Sequence, residues 1–136
     1  MTIYLIILVI LVSGDFYSDS DISVEVLYAN GTSYCTLPDL PANRYQHSQD
    51  GFLICGGGDP DTLNNCLTLV NGTWTQSHSL LHARQDHTSW VLGDGRVMLM
   101  GGDFSLTTTE IITPGTSTTT EGFTLKYKTE YYNSIK

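Results

Sequence analysis

The chain has 136 residues, six of them Lys or Arg and fourteen Asp or Glu, for a formal net charge of −8. That length builds one ordinary domain with a modest core. The shortage of positive charge argues against nucleic acid as a partner, because phosphates need a basic footprint, and against attachment to anionic lipid.

In chain order, the first feature is the apolar run Ile3 to Val12, "IYLIILVILV". It is shorter than the ~20 residues that span a bilayer as a helix. Its position and the small residues Ser13 and Gly14 behind it fit the h-region of a signal peptide over residues 1–16, cleaved between Ser13 and Tyr17. A buried strand is the competing reading, because β-branched residues are frequent in the run. Val24 to Tyr28 and Ser33 to Thr36 then read as strands on either side of Asn30-Gly31, a two-residue hairpin signal.

The next unit reads Gln46 to Gln49, an Asp50-Gly51 turn, Phe52 to Cys55, a glycine run, Cys66 to Val70, an Asn71-Gly72 turn, and Thr73 to Gln76. The last reads His87 to Leu92, a Gly93-Asp94-Gly95 turn, Arg96 to Met100, Gly101-Gly102, Thr109 to Thr113, a Thr- and Gly-rich loop, and Phe123 to Tyr127. No segment carries a long helical period, so every element is expected to be a short strand.

These units repeat. Arg44-x-x-His47 recurs as Arg84-x-x-His87 after 40 residues, Asn30-Gly31-Thr32 as Asn71-Gly72-Thr73 after 41, and Gly56-Gly57 as Gly101-Gly102 after 45. The longest interval has a cause, since "VLGDGRV" carries extra residues in a turn where "QDGF" is short. Four-stranded units about 40 to 50 residues long are the blades of a β-propeller. The glycine pair suits a strand end that passes close to other backbone at positive φ. As a phosphate loop, "GGGD" (Gly56 to Asp59) lacks the Lys-Ser/Thr pair and the helix behind it.

Arg44, His47, "FLICGG", "CLTLVNGTW" with Trp74, and then Leu80 or Leu81 resemble the kelch repeat. Arg84, His87, "VMLMGG", "TEII" and "FTLKY" resemble it again, without the Trp. The phrases "LPDLP", "CGGG" and "SHSLLHARQDH" are similar to the secreted, galactose-oxidase-like kelch domains of invertebrates. The resemblance covers residues 23–127 and implies an all-β, kelch-type β-propeller built from antiparallel four-stranded blades. The remaining residues, 128–136, form a C-terminal tail. The chain holds two nearly complete blades and half of another, an incomplete propeller of about two to three blades. A closed ring takes about 4 to 8. A fragment of a longer propeller is the expected explanation; ring completion by oligomerisation and an open stack of sheets are the alternatives.

Three cysteines are present. Cys55 ends one apolar run and Cys66 begins the next, so neighbouring strands would bring them within disulfide range, against the alternative that all three are buried small hydrophobes. Cys35 is left over. The kelch resemblance implies that it pairs with a Cys near the domain end, where this chain reads "TEYYNSIK".

Asn30 and Asn71 are N-glycosylation sequons at hairpin tips. His78 and His82 have the spacing of metal ligands on a helix, but the local pattern is not helical. His47 and His87 occupy equivalent repeat positions, which assigns them structural roles. Asp59 and Asp61 read as solvated turn residues rather than a Ca²⁺ site. Tyr34 and Cys35 are sequence neighbours and do not make the crosslinked Tyr–Cys pair of a copper oxidase, and no Gly-x-Ser-x-Gly elbow is present. Arg44 and Arg84 are expected to tie neighbouring blades together, and Trp74 and Trp90 to pack between sheets.

These observations point to a secreted, non-enzymatic interaction module for extracellular protein or glycan. It needs no cofactor, no nucleic acid and no membrane span. Gly56, Gly57, Gly101 and Gly102 are assigned to the repeat framework. The alternatives are a fragment of a galactose-oxidase-like copper enzyme and an intracellular kelch adaptor.

Overall fold

A computed structural model describes residues 8–12, 24–28, 30–50, 53–59, 61–103 and 107–127. Among them every regular element is a strand. In order these are β1 (Leu8–Val12), β2 (Val24–Tyr28), β3 (Ser33–Leu37), β4 (Ser48–Asp50), β5 (Leu53–Cys55), β6 (Gly58–Asp59) and β7 (Asp61–Thr62). They continue with β8 (Asn65–Val70), β9 (Thr73–Ser79), β10 (Thr88–Val91), β11 (Val97–Met100), β12 (Thr109–Ile112) and β13 (Thr119–Glu121). The protein is all-β, and among the described residues no helix is long and apolar enough to cross a membrane.

Neighbouring strands are antiparallel throughout. The first sheet runs β1-β2-β3, the middle sheet β4-β5-β8-β9 and the last sheet β10-β11-β12-β13, with β6-β7 a small separate ribbon. Each of the last two sheets is a meander of four, in the blade-like arrangement expected. Their central strands are the most apolar, because both faces of a central strand are covered. Edge strands β4 and β10, each the first of its sheet, touch one another across the gap between sheets.

The middle sheet is buried on both faces, and its alternating side chains sort between them. Ile54, Leu67 and Trp74 pack with Val24 of the first sheet and with Leu40 of the connecting segment. Cys55 and Cys66 pack with Val97, Leu99 and Ile112 of the last sheet and with Leu80. Leu40 and Leu80 lie 40 residues apart, and each plugs the space where one sheet hands over to the next. Leu80 therefore takes the apolar position that Leu81, half exposed, does not. Each such aliphatic side chain contributes about 1.5–3 kcal/mol by leaving water.

Two sequence expectations are corrected. Asn71 (φ 49°) and Gly72 (φ 77°) do form a two-residue turn between Val70 and Thr73. Asn30-Gly31 does not. Of these two residues only Gly31 is left-handed, and Tyr28 closes the longer loop by donating its N–H to the Thr32 carbonyl and accepting from the Gly31 N–H. The reason is local: the Asn30 carboxamide oxygen accepts from the Thr32 N–H at 3.0 Å, an Asx turn that spares Asn30 a left-handed backbone.

The fourth strand of the last sheet is the Thr-rich β13, not Phe123 to Tyr127. The chain reverses directly after β12, where the Thr113 N–H donates to the Thr118 carbonyl and Gly115 takes φ 80°. Phe123–Tyr127 then runs on past the sheet edge, held by a bond from the Leu125 N–H to the Thr107 carbonyl. The tail, 128–136, lies outside the described residues.

At the other end, β1 uses five residues of the apolar run read as a leader. It pairs with β2, Val12 opposite Val24 and Leu8 opposite Tyr28. Residues 1–7 and 13–16 lie outside the described residues. A signal for this strand was available in the repeat: "VILVSGDF", Val9 to Phe16, matches "VMLMGGDF", Val97 to Phe104, after 88 residues.

Candidate functional site

The polar residues singled out by the repeat gather at the loop end of the sheets, where the chain enters each new one. Arg44 and Arg84 are both buried and make matching bonds. The Arg44 Nη1 donates to the Gly56 carbonyl at 2.8 Å and the Asn65 carbonyl at 3.1 Å, and its Nη2 to the Asn65 carboxamide at 2.8 Å. The Arg84 Nη1 donates to the Gly101 carbonyl at 2.7 Å and the Thr108 carbonyl at 3.3 Å, and its Nη2 to the Thr108 hydroxyl at 3.0 Å. Each guanidinium thus clamps the entering segment to the second and third strands of its own sheet. Arg84 joins two sheets: its side chain holds the last one, while its N–H donates to the Leu63 carbonyl at 3.1 Å and its carbonyl accepts from the Gly57 N–H at 2.8 Å, both beside the middle sheet.

The glycine pairs sit in like surroundings. Gly56 and Gly101 have φ 62° and 63°, and Gly57 and Gly102 have 91° and 99°. A Cβ on Gly57 would lie 2.5 Å from the Tyr45 carbonyl oxygen, and one on Gly102 would lie 2.5 Å from that of Gln85. Left-handed φ and a carbonyl at that distance together exclude any side chain. Gln46 and Asp86, again 40 residues apart, share a left-handed backbone.

Glu110 distinguishes the last sheet. Fully buried, it accepts from the Arg84 Nη2 at 2.8 Å, the Leu81 N–H at 2.7 Å and the His82 N–H at 3.0 Å. The corresponding position of the middle sheet, paired with Ile54 as Glu110 is with Leu99, is Leu67.

His47 and His87 follow their arginines into the same region. The His47 Nδ1 bonds the Arg44 carbonyl at 2.9 Å, and burial lowers its pKa, with the nearby Arg44 charge acting in the same direction. The His87 Nε2 reaches the Ser48 hydroxyl of the middle sheet at 2.8 Å, while its Nδ1 is buried without a partner. Burial, helped by the charge of Arg84, pushes the His87 pKa down to about 3. A neutral imidazole spanning two sheets is a structural strut at ordinary pH.

The other expected residues scatter. His78 is buried on β9 between the Ser77 hydroxyl at 3.0 Å and the Thr113 carbonyl at 3.1 Å, whereas His82 is exposed beyond the strand. Asp59 and Asp61 are register partners in the β6–β7 ribbon. Trp74 packs between sheets and donates its indole N–H to the Pro38 carbonyl at 2.7 Å. Trp90 does not: it lies on edge strand β10, 66 % exposed, on a face that no further sheet covers among the described residues. Among the described residues no group of three or more His, Cys, Asp or Glu side chains is arranged to hold a metal ion.

Cys55 and Cys66, directly opposite on β5 and β8, form a disulfide buried against the last sheet. Cys35, on β3, is a half-buried free thiol. The bond closes a loop with a sequence separation of 11, so replacing both cysteines with Ala should cost about 3 kcal/mol by loop entropy, read as a lower urea midpoint. A midpoint unchanged by the double substitution would show that the bond holds nothing the sheet does not. No protein-family model and no curated protein matches the chain.

Proposed function

We propose that the chain is part of a kelch-type β-propeller acting outside the cell as a non-enzymatic module that binds protein or glycan partners. The observation that carries this reading is the matched pair of clamps: Arg44 and Arg84 bond equivalent carbonyls beside glycine pairs of equivalent φ. Stacked sheets of this kind present loops and hairpin tips as recognition surface while their repeated polar residues hold the frame. His47, His87 and His78 are engaged in framework hydrogen bonds, in keeping with a binding rather than a catalytic role. The Cys55–Cys66 disulfide favours an oxidising compartment.

The test is to purify the protein from the medium of expressing cells, measure its copper content, and assay it against arrays of glycans and extracellular proteins. Binding with copper far below one per chain is expected. Stoichiometric copper with a radical-type absorption would replace this reading with a copper-oxidase fragment. Retention in the cytosol with reduced Cys55 and Cys66 would replace it with an intracellular adaptor.

A further inference from the structure

The tip of the β2–β3 hairpin reads Tyr28-Ala29-Asn30-Gly31-Thr32. Its frame is a turn with a left-handed glycine at the fourth position. The Gly31 N–H donates to the Tyr28 carbonyl, the Tyr28 N–H donates to the Thr32 carbonyl, both at 2.9 Å, and Gly31 has φ 85°. The β10–β11 connection, Leu92 to Arg96, is built alike. Gly95 has φ 87°, the same pair of main-chain bonds closes the loop, and the Asp94 side chain accepts from the Arg96 N–H. The β2–β3 turn differs in what its side chains present.

The Thr32 hydroxyl donates to the Asn30 carboxamide oxygen, so those two side chains share a side of the hairpin. Tyr28 and Thr32 are cross-strand neighbours joined by the bond from the Tyr28 N–H to the Thr32 carbonyl, so their side chains lie on one face. Tyr34 packs edge-on against Tyr28, ring centroids 5.4 Å apart. Tyr28, Asn30, Thr32 and Tyr34 therefore share one solvent-facing surface, with Tyr34 54 % and Tyr28 37 % exposed. An aromatic face of this kind is suited to the C–H face of a pyranose, which is apolar on one side and hydroxylated at its rim. The second sequon lacks the feature. Two residues before Asn71 stands Leu69, which packs toward the core, and Asn71 itself is left-handed in a tighter turn.

We propose that Asn30 is an N-glycan attachment site whose first N-acetylglucosamine stacks on Tyr28, backed by Tyr34, so that the sugar closes the hairpin tip. Asn71, if modified, carries a glycan that makes no such contact. This inference rests on the secretory reading above only for its occurrence in the native cell. The stacking itself is a property of the turn.

The experiment routes the full chain into the secretory pathway of a eukaryotic host behind an added leader and trims its glycans enzymatically to single N-acetylglucosamine residues. Unglycosylated protein from a bacterial periplasm, where the disulfide can form, is the comparison. Mass spectrometry reads occupancy at Asn30 and Asn71, and hydrogen exchange reads the Gly31 amide. Asn30 is expected to be occupied, and its sugar to slow Gly31 exchange roughly three- to tenfold, the size of an aromatic stacking contact. Tyr28→Phe should keep that slowing and Tyr28→Ala should abolish it. An unmodified Asn30, or equal slowing in Tyr28→Ala, would overturn the proposal. Without the added leader, cytosolic retention would count against the secretory reading alone.

Discussion

Replacing Arg84 with Met is expected to lower stability by about 3–5 kcal/mol, measured by denaturant unfolding. Arg84 and Glu110 are both 0 % exposed and 2.8 Å apart. Removing one member leaves the other charge buried, and desolvation costs more than the lost attraction. Glu110 also holds the Leu81 and His82 N–H groups, so Glu110→Leu should be at least as damaging. It strands a guanidinium and two main-chain donors at once.

The double substitution Arg84→Met with Glu110→Leu tests this distinction. An isolated buried pair can be replaced by apolar residues at little cost. Here recovery should be partial, because the two N–H groups remain unpaired. Full recovery would mean that water reaches those donors and that Glu110 does no more than neutralise Arg84. Loss of less than about 1 kcal/mol in Arg84→Met would mean that the entering segment does not depend on its clamp.

Acidification is expected to loosen the packing of the middle sheet against the last sheet well before the carboxylates titrate. His87 holds its pKa at about 3 in the folded protein, against an ordinary 6.5. Between those values the unfolded chain binds a proton that the folded chain refuses, so stability is full above about pH 6.5 and declines toward pH 3. The slope is about 1.4 kcal/mol per pH unit for one such histidine. His47, lowered in the same direction, adds to the decline below its ordinary value.

The groups facing His87 are Arg84 and His47, both of which oppose its protonation. Asp86 acts the other way. Burial and its neighbour Asp103 raise its pKa, so the folded state favours its proton and regains some stability as pH falls through the carboxylate range. Urea midpoints measured from pH 7 to pH 4 should fall, and His87→Gln should flatten the curve while keeping a hydrogen-bonding group near Ser48. An equally steep decline in that variant would assign the acid sensitivity elsewhere.

Much of this architecture was legible in spacing. Turn residues set off short apolar runs, and the recurrence of Arg-x-x-His and Gly-Gly located equivalent points in successive sheets. Geometry there is dictated locally: a left-handed glycine whose added Cβ would lie 2.5 Å from a carbonyl oxygen, as at Gly57 and Gly102, admits no other residue. The cross-strand cysteines were legible for the same reason, since a short reversal between two apolar runs brings them opposite. Less was legible where a choice depended on what lies across the gap. Trp74 and Trp90 look alike in sequence, yet one is covered by the first sheet and the other sits on a face that no sheet covers among the described residues. Phe123 to Tyr127 has good strand composition but lost its place to the Thr-rich β13, because the chain turns immediately after β12.

Short runs set off by turn residues, and their recurrence at a fixed interval, already dictated strands, a repeat and two cysteines within disulfide range, because each depends on residues close together in the chain. Packing of the sheets settled where the arginine side chains clamp, that Glu110 gathers a guanidinium and two main-chain donors, and that Leu8–Val12 pairs with Val24–Tyr28. Those outcomes depend on which polar groups become buried together. Burial is a property of the stacked sheets and not of any one strand.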